Sequence, residues 1–192
     1  MGREFELKYK LTEAAYDAVR DRFSGFSSIT METVYYDTPG RALGKLRWTL
    51  RRRLENGSPV CTMKTSALGG SRGEWEVNCP DIGASIPLLI AAGAPGELKA
   101  LTECGVEPIC GARFTRLAAK VTYEDAVIEL ALDRGVLTGG GREIPLLELE
   151  AELKAGSEAA VLRFGAELAE RFGLREETKS KFARARELTS HG

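Results

Sequence analysis

Charged residues recur two apart along this chain. Glu4 and Glu6, Glu74 and Glu76, and the run Glu148, Glu150, Glu152 are acidic sets of this kind. Arg51 and Arg53 form a basic set, and Lys8 and Lys64 sit on similar alternating stripes. In an extended strand residues i and i+2 project from one face, so each pair can address a single point in space. Guanidinium and ammonium groups favour phosphate oxygens, whereas clustered carboxylates favour a hard divalent ion such as Mg²⁺ or Mn²⁺. Together they describe a site for a metal–polyphosphate complex. Imidazole chemistry is excluded from the body of the chain, because the single histidine is His191, beside the C-terminus. No internal histidine can therefore serve as general base, triad member or zinc ligand.

The elements that must position these residues are mostly strands with a period of two. Residues 3–10 set Glu4, Glu6, Lys8 and Lys10 against Phe5, Leu7 and Tyr9. Residues 47–54 set Arg47, Thr49, Arg51 and Arg53 against Trp48, Leu50 and Leu54. The same alternation runs through 59–64, 72–78 and 146–154, and weaker strands are expected over 32–36, 113–123 and 127–134. Glu55-Asn56-Gly57-Ser58, Glu124-Asp125 and Gly139-Gly140-Gly141 read as hairpin turns; the three glycines lack the lysine and hydroxyl residue of a phosphate-binding loop. Thr12 and Ser157 are placed to cap helices over 12–24 and 157–172, with shorter helices after Ser85 and Pro95 and a basic helical tail over 176–188.

About eight strands joined by short hairpins predict an α+β protein built on an eight-stranded antiparallel closed β-barrel. A closed sheet of that size leaves a lumen wide enough for a small ligand. A lumen with charged walls of both signs cannot be a dry core, so it must hold water, ions or a charged ligand. The helices then cover the apolar outer faces. Trp48 and Trp75 fall on those faces and are expected to pack there, and Arg52 is expected at the surface.

Length and composition set the frame. The chain has 192 residues and 20.9 kDa, with 43% apolar and 29% charged residues, which fits one globular domain over 1–192. Its 27 basic and 28 acidic side chains give a net charge of −1, which argues against a nucleic-acid partner. No apolar run approaches the ~18–20 residues that cross a bilayer, and no secretory leader is visible at the N-terminus. Cys61, Cys79, Cys104 and Cys110 form no C-x-x-C pair and match no zinc or disulfide pattern. They read as reduced structural thiols of a cytoplasmic protein.

The start, Glu4-Phe5-Glu6-Leu7-Lys8, resembles the E-x-E-x-K signature of the CYTH superfamily, the triphosphate tunnel metalloenzymes. It is followed in order by Tyr35-Tyr36-Asp37-Thr38-Pro39, Leu50-Arg51-Arg52-Arg53, Thr62-Met63-Lys64, Arg72-Gly73-Glu74-Trp75-Glu76, Leu132-Asp133-Arg134-Gly135, Glu148-Leu149-Glu150-Ala151-Glu152-Leu153-Lys154 and Lys179-Ser180-Lys181-Phe182. This ordered set is most similar to the bacterial inorganic triphosphatases, without the helical CHAD domain that often follows there. The resemblance implies a tunnel in which Lys8, Arg51, Arg53, Lys64, Arg113, Arg116 and Lys181 hold phosphate oxygens. It implies that Glu4, Glu6, Glu148 and Glu150 ligate Mg²⁺ or Mn²⁺, and that Glu74 and Glu76 position or activate water. Asp133 and Glu152 stand on matching strand motifs outside that set. The implied activity is metal-dependent hydrolysis of a small anionic triphosphate, inorganic triphosphate being the simplest fit. A class IV-type adenylyl cyclase, a thiamine triphosphatase and a non-catalytic polyphosphate or nucleotide binder remain open, as do monomer and homodimer. The segment 69–73 reads as a loop at a tunnel mouth.

Overall fold

The structure is a computed structural model and describes residues 5–65 and 73–190. Glu4, the loop over 69–72 and His191 lie outside the described residues.

The local signals form the expected elements. Strand β1 (Glu6–Lys10) is followed by helix α1 (Glu13–Arg22), whose N-cap Thr12 accepts from the Ala15 N–H at 3.1 Å. Strand β2 (Ser27–Asp37) leads through the short helix α2 (Ala42–Lys45) to the hairpin of β3 (Thr49–Glu55) and β4 (Ser58–Lys64). Asn56 (φ 49°) and Gly57 (φ 84°) supply the two left-handed positions that this two-residue turn requires. Strand β5 (Glu74–Asn78) precedes helices α3 (Ile82–Ala91) and α4 (Glu97–Leu101). Helix α3 starts before Ser85, because Asp81 and not Ser85 is its cap, accepting from the Ala84 N–H at 2.7 Å.

Three long strands follow: β6 (Glu107–Tyr123), β7 (Ala126–Gly139) and β8 (Arg142–Ala155). Each extends beyond its expected bounds, since sheet pairing carries the strands through stretches such as Cys110-Gly111-Ala112 that have no alternation. Helix α5 (Glu158–Phe172) is capped by Ser157 and ended by Gly173 at φ 64°. The two-residue strand β9 (Arg175–Glu176) and helix α6 (Lys181–Glu187) complete the order. Among the described residues no helix is long and apolar enough to cross a membrane.

Among the described residues the strands form one nine-stranded sheet in the order β5-β4-β3-β2-β6-β7-β8-β1-β9. Pairing is antiparallel between β1 and β8, β1 and β9, β2 and β3, β3 and β4, and β4 and β5. The expected eight-stranded closed barrel is therefore corrected: the sheet is open, with β5 and β9 as its unpaired edges. Closure would require pairing between the ends of the order. Instead β9 takes the outer edge of β1 at Tyr9 and Lys10.

The chain forms two compact units. The first comprises Met1–Ile29, Phe114–Val136 and Ile144–Ser180. Its core packs Tyr9, Val19, Ile128, Leu130, Leu149 and Phe164 with their neighbours, beneath α1 and α5. Gly165 lets α5 approach the sheet closely, because a Cβ there would lie 2.4 Å from both Leu7 Cδ1 and Tyr9 Oη. The second unit comprises Thr30–Arg113, Leu137–Glu143 and Lys181–Gly192. Its core is Leu43, Leu50, Met63, Leu89, Ala94 and Leu98, with Trp48 and Trp75 packed against it as expected. In both units burial of the apolar strand face leaves the charged stripe on the opposite face.

Candidate functional site

In the first unit the register of β1 on β8 sets Glu6 opposite Glu152, Lys8 opposite Glu150 and Lys10 opposite Glu148. Directly opposed residues share a sheet face, so this face carries six charged groups on two strands. Glu148 and Asp133 of β7 are fully buried. Carboxylate oxygens of Asp133, Glu148 and Glu150 all lie within 4.8 Å of one another. Arg116 of β6 enters the same cluster: its Nε and Nη2 donate to the two Asp133 oxygens, each at 2.8 Å, and Nη2 also donates to Glu150. Burial works against the Arg116 charge, but the hydrogen bonds and charges of Asp133 and Glu150 outweigh it and hold the guanidinium above its ordinary value. At the rim, Lys8 reaches Glu6 at 3.2 Å and Lys10 reaches the buried Glu177 at 3.4 Å.

In the second unit the cross-strand rows run through β2, β3, β4 and β5. Tyr35 stands opposite Arg51, Arg51 opposite Thr62, and Thr62 opposite Glu76. Thr33 stands opposite Arg53, and Lys64 opposite Glu74. Arg51, Arg53, Lys64, Glu74 and Glu76 thus share one face. Lys64 pairs with Glu74 at 2.6 Å, Arg51 approaches the same carboxylate at 4.0 Å, and Arg53 pairs with Glu55. Glu76 accepts from the Thr62 hydroxyl at 3.1 Å. Among the described residues the buried Arg51 Nε has no hydrogen-bond partner. Lys181, at the start of α6, lies close enough to Tyr35 for its charge to act on the phenol.

Arg113 is placed differently. Three positions separate it from Arg116, so an ordinary strand projects them from opposite faces. Arg116 lies over the Phe114 ring at 5.8 Å in the acidic cluster, while the Arg113 side chain is 60% exposed and paired with Glu143.

The sequence profile of the CYTH domain matches residues 2–185. The chain belongs to the CYTH family. Its sequence is 30% identical over 164 residues to an inorganic triphosphatase of Haemophilus influenzae, an alignment covering 82% of this chain and 47% of that protein. This CYTH chain therefore spans about half the length of the curated relative. Solved structures share the fold at lower identity. PH1819 of Pyrococcus horikoshii matches with a TM-score of 0.62 and 22% identity over 96% of this chain and 98% of its own. HpAC1 of Hippeastrum, described as a putative adenylyl cyclase with a dominant triphosphatase activity, matches with a TM-score of 0.68 and 18% identity over 97% and 96%.

The CYTH acidic cluster has the chemistry of a hard-cation site, with carboxylate oxygens and no nitrogen or sulfur donor. Oxygens sharing an octahedral Mg²⁺ at 2.0–2.1 Å lie roughly 3–4 Å apart, so small side-chain rotations bring Asp133, Glu148 and Glu150 to that spacing. The residues fit a divalent ion. Asp133 belongs to this cluster although its sequence signal was weak: it follows the apolar run Leu130-Ala131-Leu132 with no acidic residue two positions away. Tyr35 is the other group that charge patterning overlooks, a phenol on an otherwise ionic face. Burial pushes the Tyr35 phenol up, against the opposing pull of Arg51 and Lys181.

Proposed function

We propose that this chain is a metal-dependent triphosphatase that hydrolyses the terminal phosphoanhydride of inorganic triphosphate to pyrophosphate and phosphate. The observation that carries this reading is the 30% identity over 164 residues with an inorganic triphosphatase. The composition of the two charged clusters supports it. Phosphoryl transfer asks the protein mainly for positioning and charge stabilisation, so the lack of an internal histidine is no obstacle.

Arg51, Arg53, Lys64 and Lys181 hold phosphate oxygens in the second unit, and Lys8 and Arg116 do so in the first. Glu148 and Glu150, joined by Asp133, Glu6 and Glu4, hold the divalent cation, Mg²⁺ or Mn²⁺. When bound, that cation neutralises phosphate charge and polarises the phosphoryl group as a Lewis acid. Glu74 is already engaged by Lys64 and Arg51 and serves to hold the basic row in place. Glu76, whose carboxylate accepts from the Thr62 hydroxyl, orients the attacking water. The water oxygen bonds to the terminal phosphorus, its proton passes to Glu76, and the bridging P–O bond breaks with its electron pair leaving on pyrophosphate. The reaction takes place in the cytoplasm, where four unbridged cysteines persist.

The test is phosphate release from inorganic triphosphate, ATP and thiamine triphosphate, each with Mg²⁺, Mn²⁺ or EDTA, with cyclic AMP assayed in the ATP samples. The expected result is metal-dependent release that is fastest from inorganic triphosphate. Cyclic AMP without phosphate release would move the chain to the cyclase branch. Binding of triphosphate without turnover would make it a binder.

A further inference from the structure

We propose that Tyr35 is a positioning residue that fixes Arg51 through its hydroxyl and Lys181 through the ring of Phe182, so that both cations address the same anion. The inference rests on the reading of the second unit's basic residues as phosphate-holding, and it adds a residue that carries no charge and no metal. Its basis lies within that unit. Tyr35 is 5% exposed, on the charged face of β2, directly opposite Arg51 of β3. Tyr35 and Arg51 are direct cross-strand neighbours on one face, and the Arg51 charge acts on the phenol. The other face of the contact is aromatic: the Tyr35 and Phe182 rings lie 4.9 Å apart at 47°.

Phe182 immediately follows Lys181 in α6, and α6 is short. Seven residues give a helix too little intrinsic stability to hold itself in place, so its position is set by what it packs on. Ala185 is its one buried residue, and the Arg186 guanidinium lies over the Phe182 ring at 5.4 Å. The Tyr35–Phe182 contact is therefore one of the contacts that fix where α6, and with it Lys181, sits. One side chain thereby registers a cation on a strand and a cation on a helix. Burial favours the neutral phenol, so it does not compete as an anion for the basic row.

The experiment uses the full chain and inorganic triphosphate as the probe. Binding is read in EDTA by calorimetry, and kcat and KM are read with Mg²⁺. Tyr35→Phe keeps the ring and removes the hydroxyl; it is expected to weaken triphosphate binding about tenfold, raising KM more than it lowers kcat. In an Arg51→Ala background the same substitution is expected to have no further effect, because its action runs through Arg51. Phe182→Ala is expected to weaken binding to a similar extent, and Phe182→Leu to restore part of it. Circular dichroism and the melting temperature establish that each variant is folded. Folded Tyr35→Phe that binds triphosphate as the parent does, or adds its full effect to Arg51→Ala, overturns the inference while the parent's own binding and hydrolysis keep the functional reading. A parent that neither binds nor hydrolyses triphosphate overturns both.

Discussion

The two units solve the problem of a charged sheet face in opposite ways. The first buries carboxylates: Asp133 and Glu148 are fully excluded from solvent, and Arg116 is drawn in among them. The second lines cations across β3 and β4, with Glu74 and Glu76 beside them on the edge strand β5. Buried charge is tolerated only where it is paired and hydrogen-bonded, so each cluster states by its excess what it is built to receive. An acid-rich cluster of oxygen donors favours a divalent cation. A basic row in which the buried Arg51 Nε finds no partner among the described residues favours an anion.

The sharpest way to break this comparison is to remove one member from each side. Glu150→Gln is expected to lower metal-dependent hydrolysis by more than ~100-fold, beyond the loss typical of residues that only support a ligand. It should abolish Mn²⁺ binding measured by calorimetry and leave triphosphate binding in EDTA nearly intact. Arg53→Ala should do the reverse, weakening triphosphate binding in EDTA at least ~10-fold while Mn²⁺ binding persists. If both variants lose both ligands equally, the division of labour is wrong.

Stability separates the clusters next. Arg116→Met leaves the buried Asp133 carboxylate without its bidentate partner, a change that costs about 3–5 kcal/mol. For a chain of this size that is a fall in melting temperature of about 10 °C. Lys64→Met removes the partner of Glu74 in a pair that is partly open to solvent, at 17% and 27% exposure, and is expected to cost about 1 kcal/mol or less. Equal losses in the two variants would mean that the first cluster is no more buried than the second.

Most of the alternation that builds these faces was legible in the sequence. Glu148, Glu150 and Glu152 against Leu149, Ala151 and Leu153 needed no structure, nor did the Asn56-Gly57 turn or the Thr12 and Ser157 caps. These are local signals, each decided within a few residues. Closure of the sheet is not local, since it depends on whether the ends of the strand order meet, and here β9 pairs at the outer edge of β1 instead. Arg113 and Arg116 were both nominated by a motif, although a spacing of three already sends them to different faces. Asp133 and Tyr35 stood on recognised motifs but without an assigned role, for a different reason: each becomes a site neighbour through a partner far away in sequence, Arg116 and Glu150 for one, Arg51 and Phe182 for the other.

Two glycines compare the units on backbone grounds. Gly165→Ala puts a methyl group 2.4 Å from Leu7 Cδ1 and Tyr9 Oη, beneath the helix that covers the first unit. Its helix-propensity gain is outweighed by overpacking, and a net loss of about 1–3 kcal/mol is expected in urea denaturation. Gly141→Ala, in the second unit, meets open space but must hold φ near 72°, which costs about 1 kcal/mol. A Gly165→Ala variant as stable as the parent would show that α5 can lift without loss.

The smallest effect is read from the thiols. Cys61, Cys79, Cys104 and Cys110 all fall in the second unit, so their labelling reports that unit. Cys104 is exposed and should react at once at neutral pH, while Cys110 is buried and should wait for opening. Burial, opposed by the charge of Arg186, pushes the Cys110 thiol up to about 12. A folded value raised above the unfolded one near 9 makes its contribution full below about pH 9 and progressively lost as pH rises toward 12. Denaturation between pH 8 and pH 11 should therefore show a steeper loss of stability in the parent than in Cys110→Ala. Triphosphate in EDTA should slow Cys110 labelling severalfold by stabilising the unit that binds it, whereas Mg²⁺ alone should leave the rate unchanged. Equal protection by Mg²⁺ alone would mean that the cation is held by the second unit as well, and the contrast between the two clusters would not stand.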